Sequence, residues 1–333
     1  MTSAAPNHPK RVLAICYSQT GQLSQIADNV LAPLHEGGIQ VHVEHLRPVA
    51  QYPFPWPFFR FFDAFPESAH MVAPALEPLG LMGDEDFDLI IIFYQVWFLA
   101  PSLPTTGFMK HPLAAQLLRN KPVVTVIGCR NMWLMAQEKM KTMLANVGAK
   151  LIDNVVLTDP SNMAATFVMT PLWFLTGRKK GVLGLPDAGI RADEIARTTR
   201  FGHALVDGLN NNLETSGQPI LSGLSAVSAN PKVLVSEKAA TRGFFVWGKL
   251  LRALGEPGSV LRKPILALYF VFLLTLILTV VPISLLLQTL IRPFIKDKLT
   301  ALKNRFELPS GSGNERMAQY VSTPYIDKTT PHD

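Results

Sequence analysis

The chain has 333 residues, 48% of them hydrophobic and 17% charged, with a formal net charge of +6 and two cysteines. Two cysteines in so long a chain make no disulfide framework, which suits a reducing compartment. No basic, aromatic-interleaved stripe accompanies the positive charge, which excludes nucleic acid as partner and assigns the charge to basic flanks around an apolar C-terminal segment.

The N-terminus, MTSAAPNHPKRVLAICY, lacks the regions of a signal peptide, so the first domain is expected in the cytoplasm. Residues 12–17 read as a buried strand, and 22–34 carry apolar residues at helical spacing. Gly37-Gly38 stops that helix, and 39–46 read as a second strand. There His42 and Glu44 share a face while His45 points away, which makes no metal site. The run DLIIIFY, 88–94, is a third strand, apolar enough to be covered on both faces. A helix over 108–118, a strand over 121–128, a helix over 133–147, a fifth strand over 151–157 and a closing helix over 191–209 follow. Strands alternating with helices predict a doubly wound, parallel five-stranded α/β sheet. Ligands of such sheets sit beyond the strands' carboxyl ends. The loops in those places are 18–22, 95–106 and 129–133.

The first of these loops, YSQTGQLSQIA, places Ser18, Thr20, Gly21 and Ser24 at the start of a helix. Hydroxyls, a glycine and a helix N-terminus together favour an anion. No Gly-Lys-Ser/Thr follows and there is one glycine, so neither a P-loop nor a dinucleotide fingerprint is present. A phosphate monoester fits best. On these residues the chain resembles the flavodoxin family over about 11–210, departing from its pattern at Leu23, where many members carry Thr. The resemblance implies a flavodoxin-like fold and FMN as cofactor. It implies phosphate contacts from Ser18, Gln19, Thr20, Gly21, Gln22 and Leu23. It also implies ring contacts from Gln95, Val96, Trp97 and Phe98 and from Gly128, Cys129, Arg130, Asn131 and Trp133. Trp97, Phe98 and Trp133 are equally readable as core or partner-facing aromatics. The ring-facing loops carry Arg130 and no acid before Glu138, which favours an enzyme over an electron shuttle. No catalytic base is identifiable.

Two aromatic insertions interrupt the pattern, at about 48–82 and 160–188. Trp56, Phe58, Phe59, Phe62 and Trp173 are read from them as walls of an apolar substrate channel, with a core lid or dimer interface as the alternative. Residues 211–240 read as a polar linker and 241–258 as an amphipathic interfacial helix, or else a helix packed on the domain. Residues 262–292 read as a transmembrane or re-entrant segment, because 264–291 hold no charge and would extend about 42 Å as a helix against a bilayer core of about 30 Å. A polar tail, 293–333, closes the chain. The motifs YSQTGQL, VWFLAPSLPTTGFMK and GCRNMW, with the apolar C-terminal segment, also resemble the flavodoxin-like condensing enzyme/aromatase group of dialkylresorcinol pathways. That resemblance implies aromatisation of an alkylated cyclohexanedione to a dialkylresorcinol. The expectation is thus an FMN oxidoreductase at the bacterial inner membrane, its flavin domain on the cytoplasmic side. Its expected partners are the lipid bilayer, a hydrophobic small-molecule substrate and, as an option, a second copy in a homodimer. A NAD(P)H:quinone reductase and a membrane-tethered electron carrier are the alternatives.

Overall fold

The computed structural model describes residues 8–159, 163–182, 184–291 and 296–321. The start of the second insertion (160–162) and parts of the tail (293–295 and 322–333) lie outside the described residues. Five strands form one parallel sheet: β1 (Arg11–Cys16), β2 (Gln40–His45), β3 (Leu89–Trp97), and, past a two-residue strand β4 (Ala100–Pro101), β5 (Pro122–Cys129) and β6 (Lys150–Thr158). Their order is β2-β1-β3-β5-β6, with β4 antiparallel on the end of β3. This is the doubly wound sheet expected from the sequence. Val12 to Ile15 and Leu89 to Tyr94 are 0% exposed, which is why these strands read as unbroken apolar runs. β2 alternates in exposure because it lies at the sheet edge.

The chain winds outward from β1 to β2, then returns to β3 on the other side of β1. Because such crossovers are right-handed in nearly all parallel sheets, reversing direction at β1 puts the helices of the two halves on opposite faces. On one side α1 (Gln22–Glu36) packs against α9 (Thr199–Asn210). The helix expected over 108–118 is two, α4 (Leu103–Met109) and α5 (Pro112–Leu118), broken where His111 caps the second ahead of Pro112. α6 (Leu134–Asn146) packs against β4. α7 (Met163–Thr176) holds much of the second insertion, and the short α8 (Ala192–Ala196) precedes α9.

The first insertion folds as α2 (Phe58–Asp63) and α3 (Phe65–Ala69). Its aromatics meet the C-terminal helices α10 (Leu234–Ala253) and α11 (Arg262–Ile291). Phe58 and Phe62 pack on Phe270 with ring centroids at 5.1 and 5.3 Å, and Phe65 lies 4.3 Å from Tyr269.

The C-terminal expectation that differs most from the structure is the apolar segment. Among the described residues, no helix is long and apolar enough to cross a membrane, which overturns the expected membrane helix or re-entrant segment over 262–292. α11 is one continuous helix of 30 residues, so no hairpin forms at position 282. Its first turns face protein instead: Leu266 and Tyr269 are 2% and 1% exposed. Arg262, 1% exposed, bonds Asp63 at 3.1 Å and Glu67 at 2.8 Å. The stretch 241–258, expected as an interfacial helix or else a helix packed on the domain, belongs largely to α10, which packs on α3 and α6.

The expected linker is also packed. Ile220, Leu221, Leu224, Ala226 and Val227 are at most 3% exposed. They cover the outer edge of β6, where Val156 N–H donates to the Ala226 carbonyl at 2.8 Å. Beyond α12 (Lys296–Glu307) the tail returns to the same edge. Ser310 Oγ donates to Asp153 at 2.7 Å and accepts from Asn154 N–H at 2.7 Å. A short α13 (Met317–Tyr320) ends the described chain.

Candidate functional site

A cleft opens at the carboxyl ends of β1, β3 and β5, where the strand order reverses between β1 and β3. Open α/β sheets take their ligands there. It is lined from β1's loop by Gln19, Thr20, Gln22 and Leu23, from β3 by Gln95, Val96 and Trp97, and from β5 by Gly128, Cys129 and Arg130. Trp173, Phe174, Gly189 and Ile190 close it.

Gly21 adopts φ 81° and opens α1, whose first turn has neither a side-chain cap nor an acidic residue. A Cβ added at Gly21 would meet nothing within 4 Å, so open space lies before the helix's unpaired N–H groups. Ser18 Oγ is buried without a hydrogen-bond partner, and so is Gln95 Oε1 at the end of β3. A buried polar atom left unpaired costs about 1–3 kcal/mol. Gln95 lines the cleft, so its free acceptor is available to a bound molecule; Ser18 and Gly21 belong to the same turn as Gln19 and Thr20 but are not themselves among the lining residues.

Arg130 is the cation among the described lining residues. Burial pulls its guanidinium down to about 10, with Asp159 pulling the other way, so it stays charged at neutral pH. Asp159 also ties the loops together: its N–H donates to the carbonyls of Cys129 and Arg130, and its Oδ2 accepts from Gly189 N–H at 2.9 Å. Burial holds the Cys129 thiol well above its ordinary value, so it is no ready nucleophile.

Trp97 presents its ring to the cleft from a supported position. Tyr17, Tyr52 and Trp56 meet it edge-on at 5.9, 5.0 and 5.7 Å. Trp173 and Phe174 stack at 5.6 Å with a 12° interplanar angle. The two insertions are joined above the site, since Trp56 N–H donates to the Phe174 carbonyl at 2.7 Å.

Several expected site residues are placed elsewhere. Gln22 lines the cleft, but its amide is engaged with Ile190 on both sides, at 3.0 and 3.3 Å. Phe98 turns away. It and Leu99 form a two-residue hairpin turn at φ 48° and 60° between β3 and β4, and its ring packs on Phe61, Phe65 and Phe244. Trp133 is 1% exposed in the main core, and Asn131 is not among the lining residues. Of the expected channel walls, Trp173 reaches the cleft and Trp56 stands one ring behind it. Phe58 and Phe62 instead join α2 to α11, and Phe59 is 45% exposed. Sequence reasoning missed Phe174, Gly189 and Ile190. The signal for the last two was the turn sequence PDAGI between the second insertion and the closing helix.

No described protein family matches the chain, and no curated protein does. Solved structures similar to it include a flavoprotein in complex with FMN from Lactobacillus acidophilus, 13% identical over 45% of this chain and 93% of that one, TM-score 0.37. A flavodoxin from the domain Archaea is 12% identical over 60% of this chain and 98% of that one, TM-score 0.32. A flavone reductase is 13% identical over 64% and 68%, TM-score 0.34. Likenesses this distant settle neither cofactor nor substrate for this chain, and its fold rests on its own strand order and register.

Proposed function

We propose that the chain binds FMN at this cleft and is an oxidoreductase acting on a hydrophobic cyclic substrate. The observation that carries the reading is the buried, unpartnered Ser18 hydroxyl beside an uncapped helix N-terminus at the switch point of the sheet. A phosphate monoester would take the Ser18 and Thr20 hydroxyls and the first-turn N–H groups. Gln95 Oε1 would accept from a flavin ring N–H, and Trp97 would lie against the ring. Bound FMN supplies hydride acceptance and donation. The residues of this chain do the rest: they hold phosphate and ring, exclude water with Trp173 and Phe174, and keep one guanidinium nearby.

The aromatic wall favours an organic substrate bearing apolar groups. The finest form of the proposal is the oxidation of an alkylated cyclohexanedione to a dialkylresorcinol, the chemistry that the sequence resemblance implied. Arg130 supports a second reading, since a guanidinium beside the flavin also suits the phosphate of a nicotinamide nucleotide, as in a NAD(P)H:quinone reductase. Purified protein should be yellow. Anaerobic bleaching by the cyclohexanedione, with no effect of NADPH, supports the first reading, and bleaching by NADPH the second. A colourless protein that gains no flavin absorbance with added FMN contradicts both.

A further inference from the structure

The N-terminus of α6 follows directly on loop 129–133, which gives the cleft Cys129 and Arg130. Trp133 offers this helix no side-chain cap. A carboxylate supplies one from about a hundred residues away: Glu237 of α10, 0% exposed, accepts from Met135 N–H at 2.8 Å and Leu134 N–H at 3.4 Å. Its carboxyl oxygens thereby take first-turn N–H groups that Trp133 leaves uncapped.

We infer that Glu237 is a positioning residue of the candidate site, which makes the shape of loop 129–133 depend on the docking of α10. The FMN reading enters only in saying what that loop would hold.

The contact is sensitive to protons. Burial raises the Glu237 carboxyl from 4.5 to about 7, against the lowering effect of its N–H donors. A raised carboxyl pKa means that docking takes up a proton. Its contribution is therefore fully present at low pH and is lost as pH rises through about 7. With these two values docking is about tenfold more favourable at pH 6 than at pH 8. Other ionisable groups face this interface. Cys129, from β5, lies close enough to feel the Glu237 charge. His70, at the end of α3, lies 3.0 Å from the Phe245 carbonyl, and Glu67 pairs with Arg252 at 3.9 Å. Lys238 is the neighbour of Glu237 on α10 itself. A variant at Glu237 separates its titration from theirs.

The test is hydrogen exchange of the full chain, followed by peptide and corrected for intrinsic pH dependence, together with FMN titration. In wild type, protection of α10 and of residues 129–135 should rise about tenfold from pH 8 to pH 6. Glu237→Gln should flatten that dependence. Glu237→Ala should lower protection of both segments at either pH and leave β1 and β3 unchanged. A Glu237→Gln profile that follows wild type, or a Glu237→Ala loop 129–135 as protected as wild type, overturns the inference. Absence of FMN binding by wild type would end the flavin reading, while the exchange result would still decide the role of Glu237.

Discussion

At the scale of single residues, the site is marked by atoms that lack something. Ser18→Ala removes a buried hydroxyl with no partner, so the flavin-free protein should melt at an unchanged or higher temperature, gaining up to about 1 kcal/mol. The same change should weaken FMN binding about tenfold or more, since a hydrogen bond to a charged group contributes about 1.5–3 kcal/mol. Parallel melting and titration curves check both halves. Loss of stability with unchanged affinity would make Ser18 an ordinary loop residue. Much of this was legible in the sequence, because hydroxyls, Gly21 and a helix start lie within a few consecutive residues. Gln22 misled for a physical reason: its amide found Ile190, 168 residues on, and no local pattern records a partner at that distance. Phe98 misled because its turn has two non-glycine residues at positive φ and none of the Asn-Gly chemistry that announces a hairpin.

At the scale of elements, the aromatic insertions divide their work. Trp173 lines the cleft and Trp56 backs Trp97 there, whereas Phe58 and Phe62 join α2 to α11. Phe62→Ala should therefore destabilise by about 3–5 kcal/mol in urea melts while leaving FMN affinity unchanged. Trp173→Ala should lower FMN affinity as well as stability, because Trp173 lines the cleft and is itself 8% exposed among Phe54, Met169 and Phe174. A Phe62→Ala protein of wild-type stability that binds long-chain substrates poorly would restore that residue to a channel. Arg262 fastens the same contact. Removing it leaves Asp63 with the Gly258 N–H and Glu67 with the half-exposed Arg252, and takes away their one buried cation, at a cost of up to about 3–5 kcal/mol. Limited proteolysis should then cut α10 or α11 of Arg262→Ala sooner than in wild type, and equal rates would show that the ion cluster does not hold them. The density of aromatics in 52–66 announced that they needed a destination, but not which one. Several rings meet residues nearly two hundred positions later, and hydropathy along a chain does not encode such partners. The same limit explains α11: an uncharged run looks self-sufficient until Leu266, Tyr269 and Arg262 are seen against α2, α3 and α10.

At the scale of the whole molecule, the parallel sheet and the positions of its strands could be anticipated because each buried strand is a compact apolar run between clear breaks. The coverage of the β6 edge could not, because 220–229 and 307–310 are short, mixed segments whose role depends on Asp153. That carboxylate is 0% exposed and accepts from Ile220 and Leu221 N–H and from Ser310. Burial raises it from 3.8 to about 6, against the lowering effect of those bonds. Its linkage therefore favours the fold most below about pH 4, and that share is lost as pH rises through about 6. Between those limits Asp153→Asn should show a flatter stability curve than wild type, read as urea midpoints at each pH. Superimposable slopes would remove Asp153 from the account. The central claim concerns the cleft, and its most direct measurement is the affinity of purified chain for FMN against riboflavin, which differ by the phosphate. FMN should bind at least tenfold more tightly, and Ser18→Ala should narrow the difference. Equal affinities, or no binding of either, would contradict it.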